Sequence, residues 1–190
     1  MTGMLQHIPN IITVVRVLLV VPTAWCLLSA RYVEALGLLA VAGASDAVDG
    51  WLARKLDAVS RFGAAVDPLA DKLLVGVLFV ALLIKGVLPL WVVGIAIGRD
   101  LVILLGALAY RLLFKHIEFE PTPVSKLNTA AQIFVLLLLL FGLCGFGALS
   151  ALARALTDPY GFWLVALLAI VSGLDYVLTW GRRALAERRS

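Results

Sequence analysis

Long apolar runs, separated by short clusters of charge, glycine and proline, make up most of the chain. Six of these runs approach the roughly 20 residues that a helix needs to cross a bilayer. They predict spans over residues 11–30, 34–55, 63–84, 88–112, 126–147 and 160–180. Pro22 falls inside the first run and predicts a kink there. Pro89 and Pro159 fall near helix starts, where a missing amide proton costs little. Pro121 and Pro123 interrupt helix in the one longer loop. Ile8-Pro9-Asn10 reads as a short approach element along the membrane interface. The pattern predicts an all-α integral membrane protein with six transmembrane helices, organised as one domain over residues 1–190. No removable signal peptide is expected, because no small-residue cleavage site precedes a soluble domain.

Composition agrees with that reading. The chain is 63% hydrophobic and 15% charged, with a mean hydropathy of +1.04. A soluble domain this apolar would have little polar surface to present to water. The net charge of +4 does not come from a nucleic-acid patch, because the bases sit at span ends. Ten of the thirteen lysines and arginines outside the span interiors, with Arg16, Lys72 and Arg99 excluded as within spans, fall on one side of the six-span arrangement. That bias predicts that both termini are cytoplasmic. A bacterial inner (cytoplasmic) membrane is the expected location. Trp25, Trp91, Trp163 and Trp180 lie toward span ends, as an aromatic belt requires. Cys26 and Cys144 lie in apolar runs without disulfide or zinc spacing, and read as buried small hydrophobes.

Against this background one stretch stands apart. Asp46, Asp49, Asp67 and Asp71 bring four carboxylates into an apolar chain, with Arg54 between them. Asp46 and Asp49 are spaced to share one helix face, and so are Asp67 and Asp71. A short connection makes the two helices antiparallel neighbours, so the pairs converge near the cytoplasmic end. Four converging carboxylates in a medium of low dielectric repel unless cations neutralise them. All-oxygen ligands suit Mg2+ or Mn2+, and two ions would balance the four charges. Arg54 can offer a guanidinium fork to a phosphate. Gly43, Ala44, Ala47, Gly50, Ala53, Gly63, Ala64 and Ala70 leave room for close helix approach or a bulky ligand. Together these point to a lipid-attached diphosphate, with one aspartate available as a general base. The rival readings are an ion or proton pathway and, for Asp67 alone, a helix N-cap ahead of Pro68.

The run Asp46-x2-Asp49-Gly50-x2-Ala53-Arg54-x8-Gly63-x3-Asp67-x3-Asp71 resembles the complete signature of the CDP-alcohol phosphatidyltransferases. The resemblance covers essentially the whole chain. It implies that fold, a homodimer, and displacement of CMP from CDP-diacylglycerol by an acceptor hydroxyl. It further implies that Asp46, Asp49, Asp67 and Asp71 arrange two divalent metals around the diphosphate, with Asp71 also the general base. Gly50, Ala53, Arg54 and Gly63 would hold the cytidine nucleotide. Asn10 and Thr13, within the family-like run Pro9-Asn10-x2-Thr13-x2-Arg16, would lie near it.

The acceptor is read from the remaining cations. Arg16, Arg99, Arg111 and Lys126 are expected near the same cytoplasmic mouth and suit an acceptor that carries phosphate. The lesser alternative for Arg99 is an ion pair with Asp100. Lys126 begins a helix, where the dipole disfavours a cation, so a bound phosphate or the interface explains it; Ser125 reads as a cap. Pro121-Thr122-x2-Ser125-Lys126-x-Asn128-Thr129-x2-Gln132 and Arg99-Asp100 are similar to the CMP-forming cardiolipin synthases, whose acceptor is phosphatidylglycerol. Ser172-Gly173-x-Asp175-Tyr176 is similar to the phosphatidylglycerophosphate synthases, which use glycerol 3-phosphate. Cardiolipin synthesis is the leading expectation, with phosphatidylglycerophosphate synthesis the alternative.

Overall fold

A computed structural model describes the backbone of residues 8–43, 61–114 and 122–187, and the side chains of 18–43, 72–109 and 122–180. All regular structure among the described residues is helical. The helices fall into two compact units, Met1–Val87 and Leu88–Ser190.

The first unit contains α1 (Ile8–Leu28), α2 (residues 32–43) and α3 (Arg61–Ile84). The helix α1 begins at Ile8, so Ile8-Pro9-Asn10 belongs to its first turn and is not a separate approach element. Proline is tolerated there because the first amide protons of a helix have no intrahelical acceptor. Pro22 lies within α1, which continues to Leu28. Just beyond it the Thr23 hydroxyl donates to the Leu19 carbonyl at 2.7 Å.

Both α1 and α3 end in the same motif. Past α1, Arg31 N–H donates to Cys26 O and Ala30 N–H to Leu27 O, with Ala30 at φ +58°. Past α3, Val87 N–H donates to Leu82 O and Gly86 N–H to Leu83 O, with Gly86 at φ +69°. These paired bonds satisfy carbonyls that a helix end leaves open. Lys85 Nζ donates to Leu28 O at 3.2 Å, which ties the C-terminal ends of α1 and α3 together. The two helices pack against each other. They are therefore parallel, with Val20, Leu27, Val75, Leu78, Phe79 and Leu82 buried.

The second unit contains α4 (Leu90–Phe114), α5 (Pro123–Leu143), α6 (Ala148–Leu156) and α7 (Phe162–Glu187). Buried positions on α7 are Phe162, Val165, Ala166, Ala169, Ser172 and Tyr176, one stripe at helical spacing. Along α4 this stripe meets Trp91 opposite Trp163, with ring centroids 4.9 Å apart, and then Arg99 opposite Ser172. It next meets Gly106, where an added Cβ would lie 3.1 Å from the Tyr176 ring. Residue numbers rise together, so α4 and α7 are parallel. Numbers run oppositely between α5 and α7: Ser125 and Ser172 share Arg99 Nη2, while Val135 lies 3.1 Å from a Cβ built on Gly161, just before α7.

The expected fifth span, 126–147, is shifted by three to four residues toward the N-terminus and runs from Pro123 to Leu143. It stops at Leu143, turns through Gly145 and Gly147 at positive φ, and gives way to the nine-residue helix α6. Ser150 is fully buried and fastens this reversal: its hydroxyl accepts from Phe146 N–H and donates to Phe141 O. Residues Thr157–Gly161 then form a wide turn, broken by an extended Asp158. Arg154, expected in a loop, lies in the last turn of α6.

Three segments among the described residues are long and apolar enough to cross a membrane: Leu90–Ala109, Pro123–Leu143 and Ala148–Trp180. Shorter apolar stretches are Leu18–Leu28, Tyr32–Gly43 and Lys72–Ile84. Leucines cover the outer faces, with Leu105, Leu127, Leu152, Leu167 and Leu178 all more than half exposed. A contiguous apolar surface of this kind fits lipid and not water.

Candidate active site

The helix α3 carries three of the expected site residues. Gly63 lies in its first turn, and Asp67 and Asp71 follow one helical turn apart on one face. The Asp67-Pro68 pair is seven residues inside the helix, which begins at Arg61, so Asp67 is not its N-cap. Pro68 has no amide proton to give the carbonyl of residue 64, so the helix forgoes one bond beside Asp67. Asp46, Asp49, Gly50, Ala53 and Arg54 lie outside the described residues.

The helix α1 carries Asn10, Thr13 and Arg16 in its first half, at spacings that place them on neighbouring turns. Counting back from the tied ends gives their level against α3. From Leu28 to Asn10, and from Lys85 to Asp67, the distance is about 27 Å at 1.5 Å per residue. Thr13 and Asp71 lie about 22 Å from the same ends. The backbone thus sets Asn10 level with Asp67, and Thr13 level with Asp71.

The second unit holds the other expected cations. Arg99 is 5% exposed and is engaged by side chains from three helices. Its Nη1 donates to Asp100 Oδ1, its Nη2 to Ser125 Oγ on α5, and its Nε to Ser172 Oγ on α7 at 3.2 Å. Nη2 also reaches Ser172 Oγ. The Arg99–Asp100 ion pair is therefore formed. Ser172 and Ser125 are the partners that sequence reasoning did not assign, since hydroxyls 73 and 26 residues away carry no local signal.

Ser125 is not the cap of α5. Thr122 takes that role, its Oγ1 accepting from Ser125 N–H at 3.2 Å, with Pro123 at the first helical position. Lys126 is exposed, in the N-terminal turn. Arg111 lies in the last turn of α4, about 18 Å along the helix from Arg99. Beyond Ser125 the same buried side of α5 carries Asn128 and Gln132, 0% and 2% exposed. Both amide atoms of Asn128 and Nε2 of Gln132 have no hydrogen-bond partner among the described residues.

Comparison with known proteins bears on the whole arrangement. The CDP-alcohol phosphatidyltransferase family profile matches residues 6–174. A Drosophila melanogaster protein named "Probable cardiolipin synthase (CMP-forming)" is 30% identical over 92% of this chain and 58% of its own length. The Homo sapiens "Cardiolipin synthase (CMP-forming)" is 33% identical over 67% of this chain and 48% of its own length. A Rickettsia typhi "CDP-diacylglycerol--glycerol-3-phosphate 3-phosphatidyltransferase" is 30% identical over 90% of this chain and 96% of its own length. The chain thus spans about half the length of the first two relatives and nearly all of the third.

Proposed function

The chain belongs to the CDP-alcohol phosphatidyltransferase family, and from that premise we propose that it transfers a phosphatidyl group from CDP-diacylglycerol to the headgroup hydroxyl of phosphatidylglycerol. The products are cardiolipin and CMP. The observation that carries this reading is the family match over residues 6–174, which takes in every signature position from Asp46 to Asp71.

The chemistry follows from the residue types. Asp71 accepts the proton of the acceptor hydroxyl. The hydroxyl oxygen forms a bond to the phosphorus that carries the diacylglycerol. The bond from that phosphorus to the bridging oxygen breaks, and CMP leaves with the electron pair. Gly50, Ala53 and Gly63 let the nucleotide approach the backbone closely, and Arg54 holds a phosphate by its fork. Asn10 and Thr13 lie near the nucleotide. Asp46, Asp49, Asp67 and Asp71 would hold two divalent ions, which when bound supply charge stabilisation on the diphosphate and the departing CMP. Lys126 serves the acceptor phosphate; Arg111, about 18 Å along α4 from the Arg99 that holds Ser125, stands too far from that helix start to share it. The protein works as a homodimer, with its site and both termini on the cytoplasmic face.

Phosphatidylglycerol is supported as acceptor by the Pro121–Gln132 motif, the Arg99-Asp100 pair and the cardiolipin synthase names among the relatives. Glycerol 3-phosphate is the second reading, favoured by the near full-length match to the Rickettsia typhi protein and by Ser172-Gly173-x-Asp175-Tyr176. Purified protein given CDP-diacylglycerol and both labelled acceptors in competition decides between them. Label from phosphatidylglycerol is expected in cardiolipin, matched by CMP release. Product from glycerol 3-phosphate alone would replace the first reading by the second, and CMP release with neither would overturn both.

A further inference from the structure

Arg99 was expected to bind acceptor, yet its guanidinium is turned into the protein. It is 5% exposed, and each of its three nitrogens already donates to a protein side chain. Asp100 neutralises the charge. Little of the five-donor fork is left for an external phosphate.

What the fork does hold is the start of α5. Ser125 is fixed at three points: its N–H by Thr122 Oγ1, its carbonyl by the Thr129 hydroxyl, and its own hydroxyl by Arg99. Arg99 also grips Ser172, so the first turn of α5 is keyed to α4 and α7 at once. Lys126 is the next residue after Ser125, and the backbone that Arg99 immobilises sets where its exposed ammonium stands. A lysine stem is flexible, so its placement depends on the turn that carries it.

We propose that Arg99 is a positioning residue for the acceptor: through Ser125 and Ser172 it fixes the helix start that presents Lys126 to the acceptor phosphate. The proposal rests on the transfer reading above, and it assigns Ser125 and Ser172 to the same task.

The test separates action through Lys126 from direct contact. Arg99→Lys keeps the charge and loses the fork. Ser172→Ala removes one anchor without touching any ligand. Both are expected to raise the acceptor KM about tenfold, while the KM for CDP-diacylglycerol and kcat at saturating acceptor stay within about twofold. In a Lys126→Gln background, Arg99→Lys is expected to add less than about twofold, because the cation it positions is gone. Full additivity in the double variant, with Ser172→Ala silent, would make Arg99 a direct ligand and overturn the proposal. So would a fall in kcat with both KM values unchanged, the mark of a merely structural role.

A substrate-free measurement stands beside these. Amide hydrogen exchange over residues 124–129 is expected to quicken at least about tenfold in Arg99→Gln and to stay unchanged in Lys126→Gln. Unchanged exchange in Arg99→Gln would overturn the clamp whatever the wild-type protein transfers. Failure of the wild-type protein to transfer to any acceptor, with exchange altered as expected, would leave the clamp standing and remove the transfer reading.

Discussion

The two units keep their polar groups in different places. In Met1–Val87 the described polar contacts lie mainly at helix ends: the exposed Arg31–Glu34 pair, with side chains 49% and 48% exposed, and Lys85 on the Leu28 carbonyl. In Leu88–Ser190 they lie inside, where Arg99, Asn128, Gln132, Ser150, Thr157 and Ser172 are all buried. Thr23 is the buried counterpart among the described residues of the first unit, and it bonds only within its own helix. Apolar packing in lipid sets a distance between helices but only weakly sets their rotation, because lipid is as apolar as leucine. Hydrogen bonds are directional. The second unit uses them to fix three helices in register around a cation. In the first unit the polar chemistry is concentrated in the aspartate signature.

Perturbations should follow that division. The largest losses are expected from the first unit's carboxylates. A chelator should abolish transfer, and Mg2+ or Mn2+ should restore it; full activity in metal-free buffer would contradict the two-ion site. Asp71→Asn should cut turnover at least about a hundredfold, while Asp57→Asn, outside the signature, leaves it intact. Near-normal turnover in Asp71→Asn would remove Asp71 as the base.

Next come the two ion pairs among the described residues. Arg99→Met removes the donor shared by Ser125 and Ser172 and the cation that neutralises Asp100, and should cost about 2–4 kcal/mol of stability. This is below the cost for a fully buried pair because Asp100 is 25% exposed. Arg31→Ala should leave the unfolding midpoint in detergent unmoved, since an exposed pair of long side chains contributes little. Equal effects would erase the distinction between the units. Ser150→Ala removes both bonds that fasten the α5–α6 reversal, and is expected to cost about 1–2 kcal/mol.

The smallest effect is a gain. Ala30 and Gly86 occupy the same left-handed position in matching helix ends, but only one is glycine. Ala30→Gly should raise stability by roughly 0.5–1 kcal/mol, because alanine is strained there. A loss would show that α1 ends by a different balance from α3.

The readable and unreadable parts of the molecule divide for a physical reason. Asp67 and Asp71 could be placed on one helix face from spacing alone, and α3 bears this out because a helical repeat is local. The start of α3 was read to within two residues, 63 expected against Arg61 found, and only the rival capping role for Asp67 fails. Asp67-Pro68 carries a capping signature, yet the helix runs through it from Arg61. The break at Leu143 was missed because the apolar run continues past it, although Gly142, Gly145 and Gly147 marked the spot. Ser125 and Thr122 are both competent caps, and Pro123 decides for Thr122 by starting the helix immediately after it. Of the Arg99 network only the adjacent Asp100 left a local trace; Ser125 and Ser172 left none, since they meet Arg99 only when three helices are assembled.

That last point bears on how the protein is made. Arg99 lies in the apolar segment Leu90–Ala109, and an arginine at the centre of a span raises the cost of entering the bilayer by about 2.5–3.5 kcal/mol. Ser172 is 73 residues downstream, so at about 5–20 residues per second it leaves the ribosome some seconds later. Asp100 is translated immediately after Arg99 and is the one partner available from the outset. Of the three side-chain partners, the adjacent carboxylate is thus the one whose charge can offset the guanidinium before Ser125 and Ser172 have been synthesised.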